Sequence, residues 1–413
     1  MKRFLTLSCA LGIFYVIAVS LLLAQDNADQ FEQEPGQEPE QEQRRQRHLQ
    51  RFLSQFRIDE SLSPEQRLAY AIEKFVHTSI FDKKTVHFNV KGRKEGSSIV
   101  LEGEVIFPQH RNGLESVLKR LGFDEIDNRI TLLPEEGGLG TLDYALVTSY
   151  TARLEQDYTV PRSILDEAVY GQYVRLLKQG EDGEHLFVQV PNGYIGWIKA
   201  AAVRRISHAE WRAMMNSWPK ALVLEAISVK VDKGLVEIPR GALLPVIKQG
   251  TNDARIRLPD EKSTTVSLKD VQIVNPDVQS GKARILEIAN PLLGLRYTWG
   301  GFSSRGYDCS GFSRIIYMQR NVYLPRDADQ QSAVGEIVAF RGDPSETLPG
   351  DLHFYMNQFG RISHVSVSLG GADYIHCSSP DVHINSFNPD SPVYNARYHD
   401  IFAYARRILV GGF

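Results

Sequence analysis

From Gln25 to about residue 48 the chain carries Gln, Glu, Pro and Arg with hardly an apolar side chain, as in Glu34-Pro35-Gly36-Gln37-Glu38-Pro39-Glu40. Such a tract cannot bury enough surface to offset the entropy of ordering it, so residues 25–50 read as a flexible spacer that divides the chain. Ahead of it, Lys2 and Arg3 precede an apolar run from Phe4 to Leu23 that ends in Ala24, the pattern of an export signal over residues 1–24. An uncleaved anchor is the alternative, because the run approaches the ~20 residues that span a bilayer. Cys9 lies inside the run after Thr6-Leu7-Ser8, a poor context for lipidation. With the signal removed, the mature chain is expected to have no membrane span and to work in the periplasm, the cell envelope or the medium.

The chain beyond the spacer is too long for one core. It belongs to a sequence of 413 residues, whereas single domains cluster at ~100–150 residues and stop growing by ~250–300. A hydrophobic content of 42% and a charged content of 23% are those of globular domains, and a net charge of -3 offers no global basic field for nucleic acid. Residues 51–140 read as a small α+β module. Ser63, Pro64 and Glu65 make a helix start before Leu68, Ile72, Phe75 and Val76 at helical spacing. Strands at 86–90 and 99–105, a helix through Leu114, Val117, Leu118 and Leu121, and a strand near 130–133 complete a β-β-α-β order. That order, with Val100-Leu101-Glu102-Gly103 between the strands, resembles the BON domain of envelope proteins; an unnamed small α+β module is the alternative.

Residues 145–207 break into short β-rich pieces separated by Gly turns, the pattern of a small barrel. Its closing strand, Gly193-Tyr194-Ile195-Gly196-Trp197-Ile198, resembles bacterial SH3-like domains. Residues 215–275 repeat the short-strand pattern and are expected to be a second, divergent copy.

The chemistry is concentrated in residues 283–413. A helix through Leu286–Leu293 is closed by Gly294, and Tyr297-Thr298-Trp299-Gly300-Gly301 comes next as an extended segment. Asp308-Cys309-Ser310-Gly311-Phe312 then runs into a helix. A cysteine at a helix N-terminus faces free N–H groups that lower the thiol pKa toward the thiolate and can hold an oxyanion. His364 opens an alternating strand, 364–369, ending in Gly370-Gly371, and His376 lies on the next strand, where it could bond the first ring and fix its tautomer. By spacing alone His353, His383 and His399 are equally available. Cys309 and Cys377 could instead pair as a disulfide, and with His364 and His376 they could hold zinc, although no CxxC or HExxH spacing supports a metal and none is expected.

Several motifs, in order, resemble the NlpC/p60 family of papain-like cell-wall peptidases: Tyr297-Thr298-Trp299-Gly300-Gly301, Asp308-Cys309-Ser310-Gly311-Phe312, Leu324-Pro325-Arg326-Asp327 with Gln330-Gln331, Pro349-Gly350-Asp351-Leu352-His353-Phe354, His364-Val365 and Ile375-His376. The resemblance implies a multidomain α+β chain: a papain-like NlpC/p60 catalytic domain preceded by one or two small SH3-like β-barrels and the N-terminal α+β module. It implies Cys309 as nucleophile, His364 as base and acid, His376 as orienting residue and Tyr297 as oxyanion donor, with no cofactor. SH3-like domains placed directly before such a domain resemble the γ-D-glutamyl-L-diamino acid endopeptidases. That likeness implies peptidoglycan stem peptides as substrate, with a free N-terminal L-Ala. Asp308, Ser310, Trp299, Tyr194, Arg326 and Asp327 are the substrate-contact candidates, with a loop-positioning ion pair as the alternative for Asp308 and Arg326. Ser366, where the family usually has Gly, and Cys377 depart from the pattern without touching the triad. A wall-binding or envelope-scaffold protein that has lost catalysis is the competing expectation.

Overall fold

The computed structural model describes residues 38–135, 137–232, 234–275, 285–340, 344 and 346–408. The expected export signal, residues 1–24, and the first part of the spacer lie outside the described residues. The chain divides into two compact units, with the division in sequence between Gly138 and Leu139.

In the first unit, helix α1 (Glu38–Leu53) occupies the end of the tract expected to be a flexible spacer. Its Gln, Glu and Arg residues are strong helix formers, so a composition that cannot build a core still builds a helix. Helix α2 (Pro64–Ser79) starts where the sequence places it. The Ser63 hydroxyl accepts from the Gln66 N–H at 3.2 Å and the Ser63 N–H donates to Gln66 Oε1 at 2.9 Å, a reciprocal capping box with Pro64 in the first turn. Strands β1 (Phe88–Glu95) and β2 (Ser98–Val105) pair antiparallel. Helix α3 (Pro108–Arg120) then crosses over to β3 (Ile126–Leu132), which pairs parallel to β2. Leu68, Ile72 and Phe75 of α2 and Leu114, Val117 and Leu118 of α3 cover Val90, Leu101, Val105 and Ile130 of the sheet. The β-β-α-β order read from the sequence is the order of the elements.

The second unit begins with seven antiparallel strands: β4 (Tyr144–Val147), β5 (Thr151–Glu155), β6 (Ile164–Val169), β7 (Tyr173–Gln179), β8 (His185–Gln189), β9 (Ile195–Lys199) and β10 (Val203–Ile206). They pair in the open order β10-β4-β7-β8-β9-β5-β6. After helix α4 (His208–Met215) come β11 (Lys220–Val223), β12 (Ile227–Val231), β13 (Gly234–Ile238), β14 (Leu243–Gln249), β15 (Asp253–Arg257), β16 (Ser263–Ser267) and β17 (Val271–Val274). These form a five-stranded sheet, β16-β15-β14-β11-β17, and a separate β12-β13 hairpin. Val169 of β6, Leu222 of β11 and Val274 of β17 enter the same buried cluster as the helices beyond them, which is why both sheets and the C-terminal part form one unit.

The C-terminal part comprises α5 (Ile285–Ala289), the hairpin β18 (Phe302–Ser303) and β19 (Gly306–Tyr307), α6 (Cys309–Met318), α7 (Ala328–Gln331), β20 (Glu336–Phe340), β21 (Leu352–Met356), β22 (Ile362–Gly370), β23 (Asp373–Ser378), β24 (Asp381–Ser386), α8 (Ala396–Ile401) and β25 (Phe402–Arg407). Its six-stranded sheet has the order β20-β25-β21-β22-β23-β24, every neighbour antiparallel. Helix α6 is buried from end to end and packs on β22 and β23, so its first residue is held against the strands that carry the histidines.

His353 of β21 is wholly buried against the rings of Tyr374, Phe387 and Phe402, and among the described residues neither ring nitrogen has a hydrogen-bond partner. Burial disfavours its charged form and pushes the imidazole down to about 3. The unfolded chain therefore binds the extra proton between about pH 6.5 and 3, and stability is retained above that window and lost as pH falls through it, by about 1.4 kcal/mol per pH unit from this one ring. Urea unfolding from pH 7 to 4 should show a shallower loss of stability in His353→Phe than in the native protein.

Candidate active site

Asp308 sets the position of the candidate nucleophile. Its Oδ1 accepts the Gly311 N–H at 2.7 Å and so caps α6 with Cys309 as the first helical residue. Its Oδ2 accepts the Gly300 N–H at 3.0 Å, tying the helix start to the Tyr297–Gly301 turn. Gly311 is required there, because a Cβ would lie 2.3 Å from the carbonyl oxygen of Gly301. Tyr297 is held in turn by its N–H, which donates to Pro380 O at 2.8 Å. Cys309 is 9% exposed.

The two imidazoles come from an antiparallel pair, β22 and β23, joined across Gly370-Gly371, both of positive φ. His364 Nε2 lies 2.8 Å from His376 Nδ1, the rings crossing at 80°. The chain of rings continues. His376 Nε2 lies 3.1 Å from Asn385 Oδ1 and 3.2 Å from Nε2 of His383, which stands directly opposite His376 in the β23-β24 ladder. His383 Nδ1 faces Asp381 O at 3.0 Å. Tyr398 of α8 stacks on His364 with 4.9 Å between ring centres. Cys377 is a free, buried thiol that donates to Tyr307 O at 3.0 Å, and Cys309 is also free, so the disulfide alternative is not formed.

Electrostatics correct one expectation. Burial pushes the Cys309 thiol up, to about 12, and the Asp308 carboxylate pushes the same way; the N–H groups of Val365 and Ser310 oppose this without prevailing. Burial, aided by Arg397, pushes His364 down to about 3. Burial and the neighbouring His364 hold His376 well below the usual histidine range. The helix N-terminus alone suggests a thiolate at rest. Desolvation outweighs it, and burial favours the neutral thiol and the neutral imidazole. Tyr297 is half-buried, and its hydroxyl is pushed up by burial and by charge at Cys309, so it stays a proton donor.

Beneath the helix start lies a buried ionic cluster. Arg326, 1% exposed, donates from Nε to Asp166 Oδ1 at 2.5 Å, from Nη2 and Nη1 to Asp308 at 2.7 and 3.1 Å, and from Nη1 to Ser310 Oγ at 2.9 Å. Asn192 Nδ2 holds the other oxygen of Asp166 at 2.5 Å. Burial raises the Asp308 pKa, but Arg326 and the capping N–H groups outweigh that and hold it below the usual carboxylate range. Arg326, expected as a substrate contact, is therefore withdrawn from solvent and spent on two carboxylates, the ion-pair alternative. Tyr194 is packed inside the seven-stranded sheet. Asp327 caps α7 through a capping box with Gln330. Trp299 is 68% exposed, with its indole N–H donated to Ile164 O at 3.2 Å, so its ring face is open. Asp166 does not stand out in the sequence; an acid inside the β-run Ile164-Leu165-Asp166-Glu167-Ala168-Val169 is the available signal. Removing one partner of a buried pair leaves an uncompensated charge. Asp166→Ala should lower unfolding stability by about 3–5 kcal/mol, measured by denaturant titration, and Asp166→Asn by less.

Residues 294–402 match the model of the NlpC/P60 family. A gamma-D-glutamyl-L-lysine dipeptidyl-peptidase of Bacillus cereus is 25% identical over 280 residues, covering 65% of this chain and 79% of that protein. The protein of the same name from Bacillus subtilis is 28% identical over 230 residues, covering 52% of this chain and 72% of its own. The crystal structure of a NlpC/P60 family protein from Bacillus cereus superposes with a TM-score of 0.57 at 22% identity, covering 64% of this chain and 99% of that one, a likeness of fold. With the cysteine and the ring chain at its centre, the matched segment is an NlpC/P60 family domain, and the chain that carries it is a cysteine peptidase of that type.

Proposed function

We propose that the chain hydrolyses the γ-D-Glu to diamino acid bond of peptidoglycan stem peptides that carry a free N-terminal L-Ala. The observation that carries this reading is the His364–His376 pair on the strands against which α6, headed by Cys309, is packed, with an acid cluster at the helix start to which β6 contributes Asp166. Two relatives that cover 65% and 52% of this chain carry gamma-D-glutamyl-L-lysine dipeptidyl-peptidase as their name, which supports the substrate class.

In this mechanism His364 takes the thiol proton as Cys309 Sγ attacks the γ-carbonyl carbon, and the C=O pair moves onto oxygen. Backbone N–H groups at the head of α6 and the Tyr297 hydroxyl receive that oxyanion. As the tetrahedral centre collapses, the C–N bond breaks and His364 returns its proton to the departing amine, leaving a thioester. His364 then deprotonates a water, which displaces the thiol and releases the γ-carboxyl product. Asp308 and Ser310, flanking the nucleophile, and Trp299, with its open ring face, bear on the substrate. Tyr194, Arg326 and Asp327 hold the surrounding elements. A free ammonium on the substrate needs an acidic or hydroxyl-lined dead end.

The sheets at 145–207 and 215–275 are read as two SH3-like modules and residues 51–140 as a BON-like module, with residues 283–413 as the papain-like domain. The apolar N-terminus directs the chain to the cell envelope. Incubating the purified protein with L-Ala-γ-D-Glu-diamino acid peptides should release the L-Ala-D-Glu dipeptide by mass spectrometry, and Cys309→Ala should lower turnover by at least ~10³-fold while remaining folded. Acetylating the substrate's N-terminal amine should stop cleavage. Cleavage at another bond, or undiminished turnover of the acetylated peptide, would overturn the corresponding part of the reading.

A further inference from the structure

The hydrogen-bond chain behind His364 has a direction, and it can be traced from atoms whose roles are fixed. The backbone N–H of Tyr398 can only donate, and it donates to Asn395 Oδ1 at 3.2 Å. The other end of that amide is Nδ2, which donates to Asn385 Oδ1 at 3.2 Å. The Asn385 amide is fixed a second time: its Nδ2 faces two backbone carbonyls, Ile384 O at 3.1 Å and Val393 O at 3.3 Å, which can only accept. The atom that meets His376 Nε2 at 3.1 Å is therefore an acceptor. His383 points the same way. Its Nδ1 faces Asp381 O, which needs a hydrogen there, so in the neutral ring Nε2 accepts as well.

With two acceptors facing it, His376 Nε2 carries the hydrogen, and Nδ1 of the neutral ring carries a lone pair. That lone pair lies 2.8 Å from His364 Nε2, which must then bear the hydrogen between them. His364 is left with a bare Nδ1, the only ring atom able to take a thiol proton. In the opposite tautomer, His376 Nε2 would set its lone pair against Asn385 Oδ1 and His364 would carry hydrogen on Nδ1, with nothing to offer as a base. We infer that Asn385 is a positioning residue of this centre: it fixes the tautomer of His376, and through it selects Nδ1 of His364 as the basic nitrogen. The amide touches no reacting atom and acts two rings away. The inference rests on Cys309 and His364 being the reacting pair.

Imidazole ¹⁵N spectra separate a nitrogen that bears hydrogen from one that does not, and they need no substrate. In the native protein His364 should show a protonated Nε2 and a bare Nδ1; a protonated Nδ1 would overturn the inference without any variant. Asn385→Leu removes one of the two acceptors, and the one that cannot change role with protonation, and it should populate the reversed tautomer, lower kcat by about 10- to 100-fold with KM nearly unchanged, and slow alkylation of Cys309 by iodoacetamide by a similar factor. Asn385→Asp keeps an oxygen facing His376 and should restore the native tautomer signal. A folded Asn385→Leu protein with native tautomers, alkylation rate and kcat would overturn it. If the native protein fails to cleave the stem peptide, the reading of the substrate falls, while the tautomers and the alkylation rate still decide the role of Asn385.

Discussion

The guanidinium of Arg326 lies between Asp166 and Asp308, out of reach of solvent, and the placement of the candidate nucleophile depends on it. Asp308 is at once an ion-pair partner, the cap of α6 and the acceptor that holds the Tyr297–Gly301 turn. Asp166 belongs to a strand 160 residues from Arg326 in sequence, and through Asn192 it is also bonded to the turn that precedes β9. One cation thus joins the seven-stranded sheet, the glycine turn and the head of the helix. Burying three charges is unfavourable by several kcal/mol per ion and is offset only when nearly every donor has an acceptor of good geometry. Here Nε, Nη1 and Nη2 each have one. Such a cluster specifies one arrangement, because any displacement strands a charge in a medium that cannot solvate it.

The same burial determines the state of the chemistry. With the Cys309 thiol pushed up to about 12 and the His364 imidazole pushed down to about 3, burial disfavours a thiolate–imidazolium ion pair at rest. In the proposed reaction the proton moves as the carbon is attacked, so the direction in which His364 offers its lone pair matters more than the charge at rest. A site built this way slows the reaction of a nearly closed cysteine with oxidants and adventitious electrophiles, since those react with the thiolate.

Much of this is legible in the sequence, and the limits have physical causes. Cys309, His364 and His376 stand out because a helix head and two strands around a double glycine leave local marks: an N-cap, an alternation and a turn. The capping box at Ser63 and the β-β-α-β order are legible for the same reason. Residues 38–53 mislead because a low apolar content says a segment cannot make a core, and says little about whether it makes a helix. Arg326 reads as a surface contact because its partners are distant in sequence. Asp166 lies in a strand of another sheet, and only the folded chain brings the two together. A resting thiolate is what the helix terminus alone suggests; desolvation, which depends on everything packed around Sγ, decides the balance.

His383 and Asn385 fall between these cases. Residues two apart on a strand share a face, so the pair marks one face of β24, but nothing local says that His376 lies opposite. The register supplies that fact, pairing His376 with His383 and Tyr374 with Asn385. Once it is known, elementary rules about which atoms carry hydrogen give the rest. A backbone N–H at the start of α8 and two carbonyls beside Asn385 are donors and acceptors by covalent structure, and neither can change role with pH. The orientation of the base is thereby anchored to the main chain rather than to another titrating group. In the proposed reaction that makes it insensitive to proton transfer, because a proton arriving on His364 alters the first ring without inverting the polarity of the chain behind it.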